Sequence, residues 1–130
     1  MFLVGAAHIE PEILQFFTDI GITSIQGYGM TECSPLIAAN RVCRHRNESA
    51  GLPIPEIYVE IDNPDENGVG EIIAKGDSVM VGYYNNPEET EKTLKDGWLH
   101  TGDLGYLDKG FIHITGRSKN VIITANGKNV

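Results

Sequence analysis

No run of about 18 apolar residues occurs in this sequence of 130 residues, so no membrane-spanning helix is expected. Cysteine is scarce. Cys33 and Cys43 make no C-x-x-C pair, and no histidine stands at metal-ligand spacing from either. That argues against zinc and fits a reducing compartment, so a cytoplasmic location is expected. Basic charge is short, with 10 Lys and Arg against 18 Asp and Glu and a formal net charge of −8. The basic face that nucleic acid requires is missing, and the acidity reads as solubility. A basic start is missing too, and Glu10 and Glu12 follow it closely, so these first residues are not expected to be a signal peptide. There is no internal repeat and no low-complexity segment.

What is present is globular, at 41% hydrophobic and 22% charged residues. The length suits one domain, which would bury roughly two-thirds of its unfolded surface. Both ends read as cut. FLVGAA, residues 2–7, reads as a buried strand. KNVIITANGKNV stops inside a hairpin whose turn is Asn126-Gly127. A segment of a longer protein is therefore expected.

Residues 10–20 predict an amphipathic helix, with Pro11 at its first position. Ile13, Leu14, Phe16, Phe17 and Ile20 are at helical spacing, and Gly21 caps the end. A short strand follows over 22–26. Strand, helix, strand predicts part of a parallel α/β sheet, with the glycine-tyrosine stretch just beyond a strand end, where such sheets bind ligands. After residue 50 short strands predominate. IYVEI at 57–61 alternates, and GEIIAKG at 70–76 and SVMVGYY at 78–84 read as further strands. Asn86 is placed to cap a helix with Pro87 in its first turn, and Glu88–Lys92 and Glu91–Lys95 are i,i+4 pairs. LGYLD and FIHIT flank a Lys109-Gly110 turn. This half predicts antiparallel β, a small barrel or sandwich.

Three clusters could carry chemistry. In GYGMTE, Gly27 to Glu32, glycines allow close backbone approach and a tyrosine offers a flat face. A threonine can donate to phosphate, and a glutamate is a hard ligand for Mg²⁺. A glycine-rich turn around a core tyrosine accounts for the same residues equally well. In WLHTGDLG, Asp103 on a bend could accept from a ribose diol, or cap a turn. In TGRSK, Arg117 suits phosphate or ribose, or could be a solvated cation beside Lys119. Arg41, Arg44 and Arg46 read as a solvated loop, with contact to the 3′-phosphate of coenzyme A as the alternative. Asp62, Asp65 and Glu66 read as a polar turn.

Together and in this order, the clusters resemble the adenylate-forming superfamily of acyl-CoA synthetases, luciferases and peptide-synthetase adenylation domains. GYGMTE resembles its adenine motif, TGDLG its ribose motif and GRSK its hinge. GAAHI, Gly5–Ile9, is similar to its GGAPL stretch but has alanine and histidine where glycine and proline are usual. GYYNNPEETEKTLKDGWLHTGD matches the segment between motifs. The closing GRSKNVIITANGKNV resembles long-chain fatty-acyl-CoA synthetases.

The resemblance implies an α+β, β-rich segment. Residues 1–45 would end an α/β nucleotide-binding subdomain, 46–116 would form a distorted antiparallel β-barrel, and 117–130 would hold the hinge and the first hairpin of a C-terminal domain. It implies that Gly5, Ala6, Ala7, Gly27, Tyr28 and Gly29 line the adenine site, with Tyr28 stacking. Thr31 would meet the α-phosphate, Glu32 the Mg²⁺, Asp103 the ribose, and Arg117 ribose or phosphate. Lys119 would be the hinge. The implied reaction joins a fatty acid to coenzyme A at the expense of ATP. Loading of an acyl carrier protein and a non-catalytic nucleotide-binding module stay open as alternatives. Peripheral membrane contact of the full-length enzyme also stays open. The family's phosphate loop and C-terminal catalytic lysine lie outside these 130 residues, so the isolated chain is expected not to catalyse adenylation.

Overall fold

The structure, a computed structural model, describes residues 2–5 and 9–118. Among them two sheets share one core. The first runs β1 (Phe2–Val4), β2 (Ser24–Gly29), β3 (Leu36–Ala39) and β4 (Leu52–Pro53), side by side in that order. β1 and β2 pair in parallel, joined by α1 (Pro11–Asp19), whereas β2–β3 and β3–β4 are antiparallel. The second sheet is wholly antiparallel. It holds β5 (Tyr58–Asp62), β6 (Gly70–Lys75), β7 (Leu94–Lys95), β8 (Trp98–Asp108) and β9 (Phe111–Arg117). β8 carries β6 on one edge and, on the other, β7 at its start and β9 at its end, so the sheet curls.

Two backbone bonds stitch the sheets together: Ala50 N–H to Ile112 O at 2.8 Å, and Ile112 N–H to Gly51 O at 2.9 Å. Gly51 has φ +98, and a Cβ there would lie 2.1 Å from the Ala39 carbonyl carbon, so only glycine fits this crossing. Between the sheets Ile37, Ala38, Ala50, Ile57, Ile72, Ala74, Leu99 and Ile112 form a single buried cluster. The period-2 alternation of β8 turns Leu99, Thr101, Asp103 and Gly105 inward. Asp103 thus shares a row with core residues.

The helix, the β5 alternation and the Lys109-Gly110 turn stand where the sequence predicts them. Both turn residues have positive φ, 51 and 85, as a tight hairpin needs. α2 (Pro87–Thr93) starts at Asn86, whose Oδ1 accepts from Glu89 N–H at 3.2 Å.

Five expectations are corrected. The first strand is not buried: Phe2 and Leu3 are 62% and 56% exposed, because β1 has a neighbour on one edge only and nothing described covers that face. Gly27 to Gly29 lie inside β2, since the strand continues past β1 and takes β3 as a new partner. Residues 78–84 form no strand, because none of the described strands lies beside them to pair with; Val81 and Tyr84 face solvent. Asp103 is within β8, where Gly102 at φ +73 supplies the local bend. Lys95 lies past the end of α2, in β7; within the helix Lys92 pairs instead with Glu88 at 3.1 Å and Glu89 at 2.8 Å.

Candidate functional site

The site grows from the partner exchange in β2. Ser24 to Gln26 pair with β1, and Gly27 to Gly29 pair with β3. A Cβ on Gly27 would sit 3.1 Å from Leu36 Cδ1 and 3.2 Å from Leu3 Cδ1. One on Gly29 would sit 1.9 Å from the Pro35 carbonyl oxygen. The glycines let the strand change partners at close range. Gly5 is adjacent, since its Cβ position lies 3.4 Å from Gly27 O. Ala6, Ala7 and Lys119 lie outside the described residues.

Tyr28 stands between the two glycines and reaches across to the other sheet. Its hydroxyl donates to Asp103 Oδ2 at 2.7 Å. Arg117 Nε donates to the other oxygen, Oδ1, at 3.1 Å. A register shift between Leu104 and Gly105 brings Arg117 opposite Asp103. Asp103 N–H donates to Thr101 Oγ1 at 3.1 Å, and the Thr101 hydroxyl donates to Ile72 O at 2.7 Å, which fixes the strand beneath the carboxylate. Three motifs that are far apart in sequence therefore converge on one carboxylate. Burial, reinforced by the Asp103 charge, pushes the Tyr28 hydroxyl far above its ordinary 10.0, so it stays a donor at neutral pH. The Asp103 side chain is 11% exposed and that of Arg117 is 73%. The guanidinium is thus anchored by Nε on a side chain that is otherwise largely exposed.

Thr31 and Glu32 follow in a 3₁₀ turn, Thr31–Cys33. Among the described residues their side chains make no hydrogen bond to Tyr28, Asp103 or Arg117. Thr31 is exposed, and its hydroxyl has no hydrogen bond among the described residues. Glu32 Oε1 accepts from the Tyr83 hydroxyl at 2.6 Å. Its Oε2 has no partner among the described residues. Magnesium is typically held by one or two carboxylates together with substrate phosphates, and this half-free carboxylate fits that pattern. Asp103 fits a ribose diol, because each carboxylate oxygen can accept a second hydrogen bond.

Tyr83 and Thr101 escaped the sequence reading. A Gly-Tyr pair in a bend could have flagged Tyr83, whereas nothing in the sequence marks the Thr101 hydroxyl. A separate cluster, Asp62, Glu71 and His100, crosses β5, β6 and β8 on the opposite face from Asp103, its ligand atoms all within 4.8 Å of one another. Glu71 there already accepts from Gly102 N–H at 2.9 Å and meets His100 Nδ1 at 2.8 Å, a cross-strand pair. Asp62 belongs to β5, and Asp65 makes the turn by accepting from Asn67 and Val69 N–H. Arg46 is not a solvated residue: it pairs with Asp108 and lies 4.8 Å over the Phe111 ring, with Arg44 at 5.6 Å.

Comparison with known proteins adds to this geometry. The profile of a family described as "AMP-binding enzyme" matches residues 1–84. The chain is 45% identical over its whole length to a long-chain-fatty-acid–CoA ligase of Drosophila melanogaster, of which it covers 19%. It is 43% identical over 98% of its length to a long-chain-fatty-acid–CoA ligase of Bacillus subtilis, of which it covers 24%. Among solved structures, O-succinylbenzoate coenzyme A synthetase of Bacillus subtilis, in complex with ATP and magnesium ion, superposes with a TM-score of 0.87 at 33% identity. That match covers all of this chain and 29% of the other. The chain thus spans about a fifth to a quarter of the curated relatives it matches.

Proposed function

We propose a function from one premise: the chain belongs to the AMP-binding enzyme family. The chain serves as part of an AMP-forming long-chain fatty-acid–CoA ligase. The carrying observation is the convergence of Tyr28 and Arg117 on Asp103. The names of the relatives support the fatty-acid substrate.

In the first step a fatty-acid carboxylate oxygen bonds to the α-phosphorus of ATP as the bond to the bridging oxygen breaks. Acyl-adenylate and pyrophosphate result. In the second step the sulfur of coenzyme A bonds to the acyl carbon, AMP leaves, and the thiol proton is released. Gly5, Ala6, Ala7 and Gly27 to Gly29 line the adenine pocket, and Tyr28 offers its ring to the base. Asp103 accepts from the ribose hydroxyls. Arg117, held by Nε, directs its outer donors to ribose or phosphate. Thr31 donates to the α-phosphate, and Glu32 holds Mg²⁺. Bound magnesium would supply charge neutralisation on the phosphates. Preorganised donors lower the barrier by facing charge where it develops. Residues 1–45, 46–116 and 117–130 serve as nucleotide subdomain, β-barrel subdomain and hinge region, with Lys119 as the pivot for the second step. Two free cysteines, Cys33 and Cys43, agree with a cytoplasmic setting.

The test places this chain in the Bacillus subtilis ligase in place of the matching segment. AMP release is expected to require fatty acid and coenzyme A together. Turnover with an acyl carrier protein in place of coenzyme A, or AMP release independent of fatty acid, would contradict the reading.

A further inference from the structure

The geometry points to Tyr83 as the positioning residue that orients the Glu32 carboxylate toward a divalent cation. The inference rests on the reading of Glu32 as the Mg²⁺ ligand. It begins with a segment that has no regular structure. Residues 78–83 make no ladder, yet they are fastened to the turn Thr31–Cys33 at three places. Met80 N–H donates to Glu32 O at 2.8 Å, Ser78 Oγ lies 3.4 Å from the buried Cys33 Sγ, and the Tyr83 hydroxyl donates to Glu32 Oε1 at 2.6 Å.

Tyr83 is itself held from behind. Its backbone N–H donates to Thr90 Oγ1 at 2.9 Å, and the Thr90 hydroxyl donates to Asn86 O at 2.8 Å. A chain of hydrogen bonds therefore runs from the first turns of α2, through Tyr83, to the carboxylate of Glu32. Tyr83 is more than a third exposed, so packing alone does not account for its place.

A partly exposed glutamate with no partner can rotate and present either oxygen. With Oε1 fixed by a donor, Oε2 is left as the ligand atom in one orientation. Partners of this kind set ligand direction, and their loss costs roughly 10- to 100-fold in metal affinity. At this partly exposed site the lower end, about tenfold, applies.

The experiment follows paramagnetic broadening of amide signals in the 130-residue chain as Mn²⁺ is titrated with an adenine nucleotide present. In the unaltered chain, broadening is expected to centre on Thr31 and Glu32. Tyr83→Phe keeps the ring and removes the hydroxyl; it should raise the Mn²⁺ midpoint about tenfold, with the α2 amides unmoved. In a Glu32→Gln background the same substitution should add nothing, because its effect passes through Glu32. Equal midpoints for Tyr83→Phe and the unaltered chain would overturn the positioning role alone. So would a further tenfold loss in the Glu32→Gln background, which marks a merely structural effect. Absence of local broadening in the unaltered chain would overturn the metal reading of Glu32, and the inference with it.

Discussion

In the sheet of β5 to β9, Ile72, Ala74, Leu99 and Ile112 have no exposed surface at all. In the sheet of β1 to β4 and its helix, only the side toward β3 is treated that way. Ile37 and Ala38 are fully buried, but Phe2, Leu3, Ile13, Phe16, Phe17 and Ile20 are all exposed, and α1 buries Leu14 alone. Apolar spacing is equally clear in both regions. The difference is whether the described residues supply a cover. Spacing states which face an element is built to bury, while burial itself needs a second surface.

The sharpest way to break this contrast is to truncate one residue from each region. Leu99→Ala should cost about 2–5 kcal/mol of unfolding free energy, the usual range for a buried leucine. Phe16→Ser should change it by no more than about 0.5 kcal/mol, as for an exposed position. Chemical denaturation measures both, and similar losses would abolish the distinction.

A smaller effect sharpens the comparison at the seam, where Tyr28 of one sheet meets Asp103 of the other. The folded-state pKa of Tyr28 is raised above its ordinary 10.0, first by burial and then by Asp103. Above pH 10 the unfolded chain loses a proton that the folded chain keeps. The stabilisation is therefore complete below pH 10 and falls as pH rises, by about 1.4 kcal/mol per unit. Tyr28→Phe should make that fall shallower in denaturation curves taken between pH 10 and 11.

Local features were legible in the sequence because their causes are local. Pro11 and Gly21 bound the first helix, Asn86 caps the second, and Lys109-Gly110 turns the last hairpin. Asp96-Gly97 was equally readable as a tight turn and was overlooked; its φ values of 52 and 81 join β7 to β8. Residues 78–84 misled because β-branched and aromatic residues signal strand only where a partner exists. The site divides in the same way. GYGMTE, TGDLG and GRSK were visible as stretches, and the resemblance linked them. Which atoms meet was not visible, since Tyr28 and Asp103 are 75 residues apart and Glu32 and Tyr83 are 51. Nor could spacing show that Gly29 makes room for Pro35.

Tyr28, Asp103 and Arg117 are proposed to form one wall of a nucleotide site. Titration of the chain with AMP, followed by side-chain and amide NMR, tests it most directly. Signals of all three residues are expected to move together with a single dissociation constant, and Asp103→Asn to weaken binding by about tenfold or more, the value of a hydrogen bond to a charged group. Saturable shifts confined to other residues, or binding that Asp103→Asn leaves unchanged, would contradict it.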